Sequence, residues 1–264
     1  MMADYHVHTK FSIDSEALPE EMVKQAIAVG LSEICITDHY DNDNPKRESF
    51  FDNDEYFTEM RRLQEKYRDD IGIRIGVELG LQPSMAEFYH EYVNKYPFDF
   101  VIGSSHLVNG YDPYYPKYFE GKVESKVYRD YFEQLLENIE IFSEFQVVGH
   151  IDYIVRYGKN KAKYYSYHKY ADIIDEILKT IISKNLGIEV NTAGFKAGLG
   201  FPNPHPDIVR RYKELGGEII TVGSDAHRPE FIGNEFDNMK KMLKDIGFDY
   251  ITKFVDRQAE FYEI

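Results

Sequence analysis

Nine histidines punctuate this 264-residue chain, and six of them fall in short runs that place a ligand-type side chain beside a turn. The runs are His6-Val-His8, Thr37-Asp-His39, Gly103-Ser-Ser-His106, Gly149-His150 and Gly223-Ser-Asp-Ala-His227, with Gly76-Val-Glu78 adding a carboxylate. In an extended strand residues i and i+2 point the same way, so the imidazoles of His6 and His8 can reach one ion. Imidazole and carboxylate donors together suit zinc, manganese or iron, and the lack of a thiolate set argues against a closed structural zinc site. At least six histidines with several carboxylates oversupply one four-coordinate ion, so the set implies a multinuclear centre. Neighbouring divalent ions lower the pKa of a shared hydroxide and clamp the attacking and leaving oxygens of a displacement. Phosphate ester hydrolysis needs that help, because charge builds on several oxygens at once. The expected chemistry is therefore metal-dependent phosphoester hydrolysis with a metal-bridging hydroxide as nucleophile.

Such a set must be held on one face of the molecule. Seven short apolar or alternating runs read as strands: 3–8, 33–37, 71–79, 98–103, 145–151, 186–191 and 218–223. Between them lie segments with helical spacing, 19–29 (with Ser15 as its cap), 54–67, 84–95, 123–143, 168–183, 207–215 and 236–246. Strand–helix alternation argues for parallel βαβ units, and sevenfold repetition favours a barrel over an open doubly wound sheet. The six histidines then lie at C-terminal strand ends, the face on which barrel active sites are built. Long loops are expected over 41–49, 109–122 and 193–206. No linker or change of composition divides the chain, so residues 1–264 read as one α/β domain.

Further residues follow from this placement. Arg156, shortly after the fifth strand, is positioned for a bidentate grip on phosphate. His205, in the loop after the sixth strand, has the pKa range of a general acid for the leaving alkoxide. Asn191 ends the sixth strand, and Glu189 two residues earlier points the same way and can orient a histidine ligand. Asp38 adjoins His39 as a supporting or ligating carboxylate. Lys159, Lys161 and Lys163 read as a solvated loop, and Ser104, Ser105 and Ser224 as turn residues. His90 and His168 read as structural. Tyr111, Tyr114, Tyr115 and Tyr118 cluster in one loop, where packing is the plainer account and an aromatic wall for an imidazole the sharper one.

Composition narrows the partners. Lys and Arg number 31 against 46 Asp and Glu, a formal charge of −15, which disfavours nucleic acid or an anionic membrane as partner. A small anionic ester remains compatible, since bound metals reverse the local field. The single cysteine, Cys35, sits in an apolar run and reads as a buried small hydrophobe. No secretory signal and no apolar run of the ~18 residues needed for a span are visible, so a soluble cytoplasmic protein is expected.

These motifs, in this order from His6 to about Gly233, resemble the polymerase-and-histidinol-phosphatase (PHP) superfamily. The resemblance implies a distorted (β/α)7 barrel with three divalent metal ions. It implies a first ion on His6, His8, Glu78 and Asp225, and a second on Glu78, His106 and His150. The third would take His39, His227 and the residue six after His8, which is Asp14 here where some relatives have histidine. Within the superfamily, Phe11-Ser-Ile-Asp-Ser15, 148–157, Glu189-Val-Asn-Thr-Ala-Gly194 and Pro202-Asn-Pro-His-Pro206 look like histidinol-phosphate phosphatases. L-histidinol phosphate is the substrate this resemblance implies. The residue chemistry alone stops at phosphoester hydrolysis, leaving open a phosphodiesterase or nucleotide phosphatase, or a non-catalytic metal-binding accessory subunit of a polymerase.

Overall fold

The computed structural model describes residues 2–41 and 51–264; beyond Asp41, the loop expected over 41–49 lies outside the described residues. Seven parallel strands follow one another round a barrel: β1 (Ala3–Asp4), β2 (Glu33–Ile36), β4 (Gly72–Gly80), β5 (Phe100–Ser104), β6 (Val147–Val148), β7 (Gly187–Asn191) and β8 (Ile220–Gly223). The short β3 (His39–Tyr40) continues β2. Glu33 pairs with Gly72 and Ile36 with Ile75, and His39 then pairs with Glu78 in the same register. That register puts His39 beside Glu78 before any side-chain packing is considered.

The ring closes where the last strand returns to the first. Tyr5 N donates to Val222 O at 2.9 Å, Asp225 N to His6 O at 2.8 Å and His8 N to Ala226 O at 2.9 Å. The first strand is shorter than its alternating pattern suggests because a side chain replaces part of its ladder. Val7 N donates to Thr37 Oγ1 at 3.0 Å, while Thr37 N donates to Val7 O at 2.8 Å.

The expected helices form the outer layer: α1 (Pro19–Ala28), α2 (Asn53–Lys66), α3 (Ala86–Lys95), α4 (Glu124–Ile141), α5 (Ala171–Ser183), α7 (Pro206–Glu214) and α8 (Phe236–Ile246), with a single turn α6 (Ala193–Lys196) after β7. α1 begins at a proline, where the missing N–H costs nothing, and buries Met22, Val23 and Ala26. Its cap position is Leu18, not Ser15, whose hydroxyl instead donates to His227 O at 3.0 Å. The Asp52 carboxylate accepts from the first backbone N–H groups of α2. No helix among the described residues is long and apolar enough to cross a membrane.

An antiparallel hairpin, β9 (Tyr250–Val255) and β10 (Gln258–Glu263), follows α8 and has no counterpart among the expected elements. Its turn residues Asp256 and Arg257 both have positive φ, 48° and 64°. Asn-Gly is the usual signal for that conformation, so Asp-Arg conceals it. Phe254 of β9 packs among Tyr5, Cys35, Phe100, Ile102 and Val147, which fill the N-terminal end of the barrel. Cys35 is thus the buried hydrophobe its surroundings suggested.

Candidate metal centre

The C-terminal mouth of the barrel gathers His6, His8, Asp14, His39, Glu78, His106, His150, Asp225 and His227. Glu78, fully buried on β4, stands at the centre. Its Oε2 lies 3.2 Å from His6 Nε2, 3.5 Å from His8 Nε2 and 2.9 Å from His39 Nδ1. Its Oε1 lies 3.2 Å from His106 Nε2 and 3.0 Å from His150 Nε2. The two oxygens of one carboxylate therefore face two different groups of histidines. Asp225 Oδ1 is 3.4 Å from His8 Nε2 and 3.9 Å from His6 Nε2. Asp14 Oδ2 is 3.4 Å from His227 Nε2 and 3.7 Å from His39 Nε2. Ligand atoms close enough to share an ion recur in several triads, among them His6–His8–Glu78, Glu78–His106–His150 and His8–His39–His227.

Hydrogen bonds on the far side of four rings decide which nitrogen faces inward. His6 Nδ1 lies 2.5 Å from Glu189 Oε1 and His106 Nδ1 3.2 Å from Asp41 Oδ2. His227 Nδ1 lies 3.0 Å from Asp225 O. His8 Nδ1 meets Ser12 Oγ at 3.0 Å, and that hydroxyl gives its own proton to Asp38 Oδ1 at 2.6 Å. Carboxylate and carbonyl oxygens only accept, so each Nδ1 carries the proton and each Nε2 presents a lone pair. Unless a second proton or another cation is supplied, these lone pairs meet carboxylate oxygens acceptor against acceptor. His6 Nε2, His8 Nε2, His39 Nδ1, His150 Nδ1 and Glu78 Oε2 are buried with no hydrogen-bond partner among the described residues. Leaving such groups unsatisfied is costly, and cations placed among them remove the cost. The donor set fits divalent metal ions.

The electrostatics agree. Burial alone would raise the Glu78 pKa, but His6, His106 and His39 outweigh it and hold the carboxyl well below its usual range. Asp225 is held down against burial by His6, His8 and Arg156. Burial together with the neighbouring His39 and His227 pushes His8 well below the ordinary imidazole value. Burial would also lower His106, yet Glu78 and Asp41 raise it. The carboxylates demand positive charge, which protons supply wherever no other cation does.

Local structure aims these groups. Asp225 has φ +54°, a left-handed conformation that aspartate tolerates. Its carboxylate and its carbonyl both turn toward the histidines. A Cβ at Gly223 would collide with His6 Cβ and Glu189 Oε1, so only glycine lets β8 pass this close to β1. Ser104, expected as a turn residue, ends β5 and donates to Glu78 Oε1 at 2.6 Å.

The PHP-domain family model matches residues 4–193. The chain belongs to the PHP family. A histidinol-phosphatase of Lactococcus lactis subsp. lactis is 33% identical over 255 residues, 95% of this chain and 93% of the relative. A Clostridium acetobutylicum protein named "Probable histidinol-phosphatase" is 37% identical over 245 residues, 92% of this chain and 93% of the relative. The crystal structure of the Lactococcus histidinol phosphate phosphatase, complexed with zinc, L-histidinol and phosphate, matches with a TM-score of 0.92 at 32% identity over 98% of each chain.

Around the PHP centre lies a cleft of about 720 Å³. Arg156 lines it from a short turn after β6, buried and fixed on three sides. Its Nε donates to Asn203 Oδ1 at 2.7 Å, Nη1 to Asp225 Oδ2 at 3.0 Å and Nη2 to Asn191 Oδ1 at 2.9 Å. Lys161 also lines the cleft at its solvent-exposed rim, with Nζ donating to Ala197 O. His205 does not line the cleft. It occupies the cap position of α7, where Nδ1 accepts from Asp207 N at 3.2 Å, and its backbone N donates to Asp152 Oδ2. The pKa argument that singled out His205 carried no information on where the ring sits, which is on the α7 cap and outside the cleft lining.

Asp41, Ser12, Asp152 and Asn203 were not selected from sequence. Asp152 accepts from Asn203 Nδ2 at 2.6 Å and from the Tyr165 hydroxyl at 2.9 Å, anchoring the asparagine that holds Arg156. Asp152 lies two residues after His150 and Asn203 two before His205, so proximity to those histidines was the available signal. Of the remaining histidines, His90 pairs with Glu144 on the surface at 2.5 Å.

Proposed function

We propose that this protein is a histidinol-phosphatase, a metal-dependent phosphomonoesterase that hydrolyses L-histidinol phosphate to L-histidinol and phosphate. The observation that carries this reading is the central carboxylate of Glu78, whose two oxygens face separate groups of inward lone pairs within a PHP barrel. The substrate rests on the extended similarity to the Lactococcus enzyme, whose structure holds zinc, L-histidinol and phosphate. In this reading the whole chain, 1–264, is one phosphoesterase domain. His6, His8, Glu78 and Asp225 hold one divalent ion, Glu78, His106 and His150 a second, and Asp14, His39 and His227 a third. Zinc is the ion in the Lactococcus relative; manganese and iron suit the same donors.

Bound ions supply Lewis acidity toward phosphate oxygens and an activated water at neutral pH. The chain's own residues do the rest. Glu189, Asp41 and the Ser12–Asp38 pair keep the histidine lone pairs directed inward. Arg156 has five N–H donors, of which three are spent on Asn203, Asp225 and Asn191. Arg156 lines the cleft, and the remaining two are its donors for phosphate oxygens as charge develops on them. With His205 outside the cleft lining, solvent water entering the open cleft protonates the leaving alkoxide.

The test is phosphate release from L-histidinol phosphate beside nucleotides and phosphodiesters, with elemental analysis of the same preparation. The expected result is two to three divalent ions per chain and a kcat/KM for L-histidinol phosphate far above the others. Preference for a diester or nucleotide would reject the substrate. Stoichiometric metal with no hydrolysis of any ester would reject the enzyme reading.

A further inference from the structure

The three bonds that fix Arg156 are of two kinds. Asp225 accepts as a carboxylate, whereas Asn203 and Asn191 accept through side-chain amides. An amide has an oxygen at one end and an NH2 group at the other, and only the oxygen can receive a guanidinium N–H. Some neighbour must decide which end each asparagine turns toward the arginine. For Asn191 it is a pair of carboxylates, since its Nδ2 donates to Glu189 Oε2 at 3.2 Å and to Asp225 Oδ2 at 3.3 Å. For Asn203 it is Asp152, whose Oδ1 accepts from Asn203 Nδ2 at 2.6 Å.

The other oxygen of Asp152 is also committed. Oδ2 accepts from His205 N and from the Tyr165 hydroxyl, each at 2.9 Å. A backbone N–H cannot become an acceptor, so residue 152 must keep an oxygen at that position. The backbone of Asn203 is pinned as well, exchanging two hydrogen bonds with Asn191 at 2.7 and 2.8 Å. The chain of groups thus runs from the His205 N–H, through Asp152 and Asn203, to the Arg156 Nε–H. Both ends only donate. Of the two groups between them, one must therefore accept on both sides, and two amides would leave a donor facing a donor. Asp152 and Asn203 are fully buried and neither lines the cleft, so they act on a bound ester only through Arg156.

Resting on the phosphate-binding role given to Arg156 above, we propose that Asp152 is a positioning residue for that arginine. Its carboxylate sets the direction of the Asn203 amide, which keeps Nε engaged and leaves two guanidinium N–H groups for phosphate oxygens. The grip on phosphate is then set by an acceptor placed behind the arginine, apart from the metal ligands.

The experiment compares metal-loaded wild type, Asp152→Asn and the exchanged pair Asp152→Asn with Asn203→Asp. The rate is read on whichever ester wild type prefers, and inorganic phosphate serves as the inhibitor, so failure of the L-histidinol phosphate assignment shows separately in the choice of ester. Asp152→Asn should lose about tenfold or more in kcat/KM, and inhibition by phosphate should weaken by a similar factor, as expected when a buried donor loses its acceptor. Metal content should stay near wild type. The exchanged pair restores one carboxylate and one amide to the chain and should recover most of both losses. In an Arg156→Ala background Asp152→Asn should cost little more, because the two changes remove the same interaction. An undiminished loss in that background, a folded exchanged pair without recovery, or an unimpaired Asp152→Asn each overturns the proposal. Failure of both Asp152 variants to fold would make the pair structural and overturns it too. An unchanged rate in Arg156→Ala alone removes the underlying role, and the positioning with it.

Discussion

The two ends of this barrel treat buried polar groups in opposite ways. At the N-terminal end the Tyr5 hydroxyl donates to Glu33 Oε1 and accepts from Phe254 N at 2.8 Å. Glu33 Oε2 in turn pairs with Arg74 at 2.9 Å, and Lys253 Nζ donates to Ser32 Oγ at 3.0 Å. Donor meets acceptor, and the polar ring surrounds an aromatic plug completed by the C-terminal hairpin. At the C-terminal end acceptor meets acceptor around Glu78, an arrangement that makes sense only with cations. One end is closed on itself and supplies stability; the other is left incomplete in a way that specifies what it binds.

The strongest attempt to break this contrast is Glu78→Gln, which removes the charge shared by both histidine groups. It should lose bound metal and about 10³-fold or more in kcat/KM, read by elemental analysis and phosphate release; a metal-replete, active variant would end the argument. At the other mouth Phe254→Ala should cost about 3–5 kcal/mol and lower Tm, while the folded fraction keeps its turnover. Loss of activity without loss of stability would show that the ends are not separable. Arg156→Ala should reduce kcat/KM by about 10²–10³-fold with metal content close to wild type, and an unchanged rate would remove Arg156 from the site.

A subtler effect is expected at the seam between first and last strands, where Asp4 accepts from Ser224 N at 2.9 Å and Gly233 N at 3.1 Å. Burial, opposed by the Ser224, Gly233 and His6 hydrogen bonds, raises its pKa to about 6. Between its unfolded value near 4 and 6 the native state binds the extra proton, so this group's stabilisation is full below pH 4 and lost by pH 6. Wild type should therefore lose up to about 3 kcal/mol relative to Asp4→Asn across that window, seen as converging or crossing Tm profiles; parallel profiles would contradict it. The smallest effect is expected for Glu189→Gln, which leaves a partner for His6 Nδ1 but no charge. Metal affinity should fall about 10- to 100-fold in a chelator competition, and an unaltered affinity would show that the carboxylate does not tune the ligand.

Much of this was legible in the chain. Strand–helix alternation, the places of six histidines, Glu78 and Asp225 at strand ends and the direction of Glu189 follow from periodicity and spacing, whereas Asp14 entered through the family resemblance. Each depends on relations within a few residues, which a sequence displays directly. The hairpin, the cleft-rim position of Lys161 and the place of His205 outside the cleft lining did not follow. Asp256-Arg257 adopts a turn that its residue types rarely signal, and His205 has a loop address like Arg156 but a ring spent on a helix cap.

What the sequence determined by itself was the inventory: which donors exist and that they recur at the same end of successive strands. What only the tertiary structure decided was direction. The two oxygens of Glu78 divide the histidines into groups because the register sets His39 beside β4 while β5 and β6 bring His106 and His150 to its other side. The lone pairs of His6 and His106 face inward because Glu189 and Asp41, distant in sequence, arrive behind them, while Ser12 and the Asp225 carbonyl hold His8 and His227 from a few residues away. For the first pair orientation is a property of contacts between segments, which no local pattern encodes.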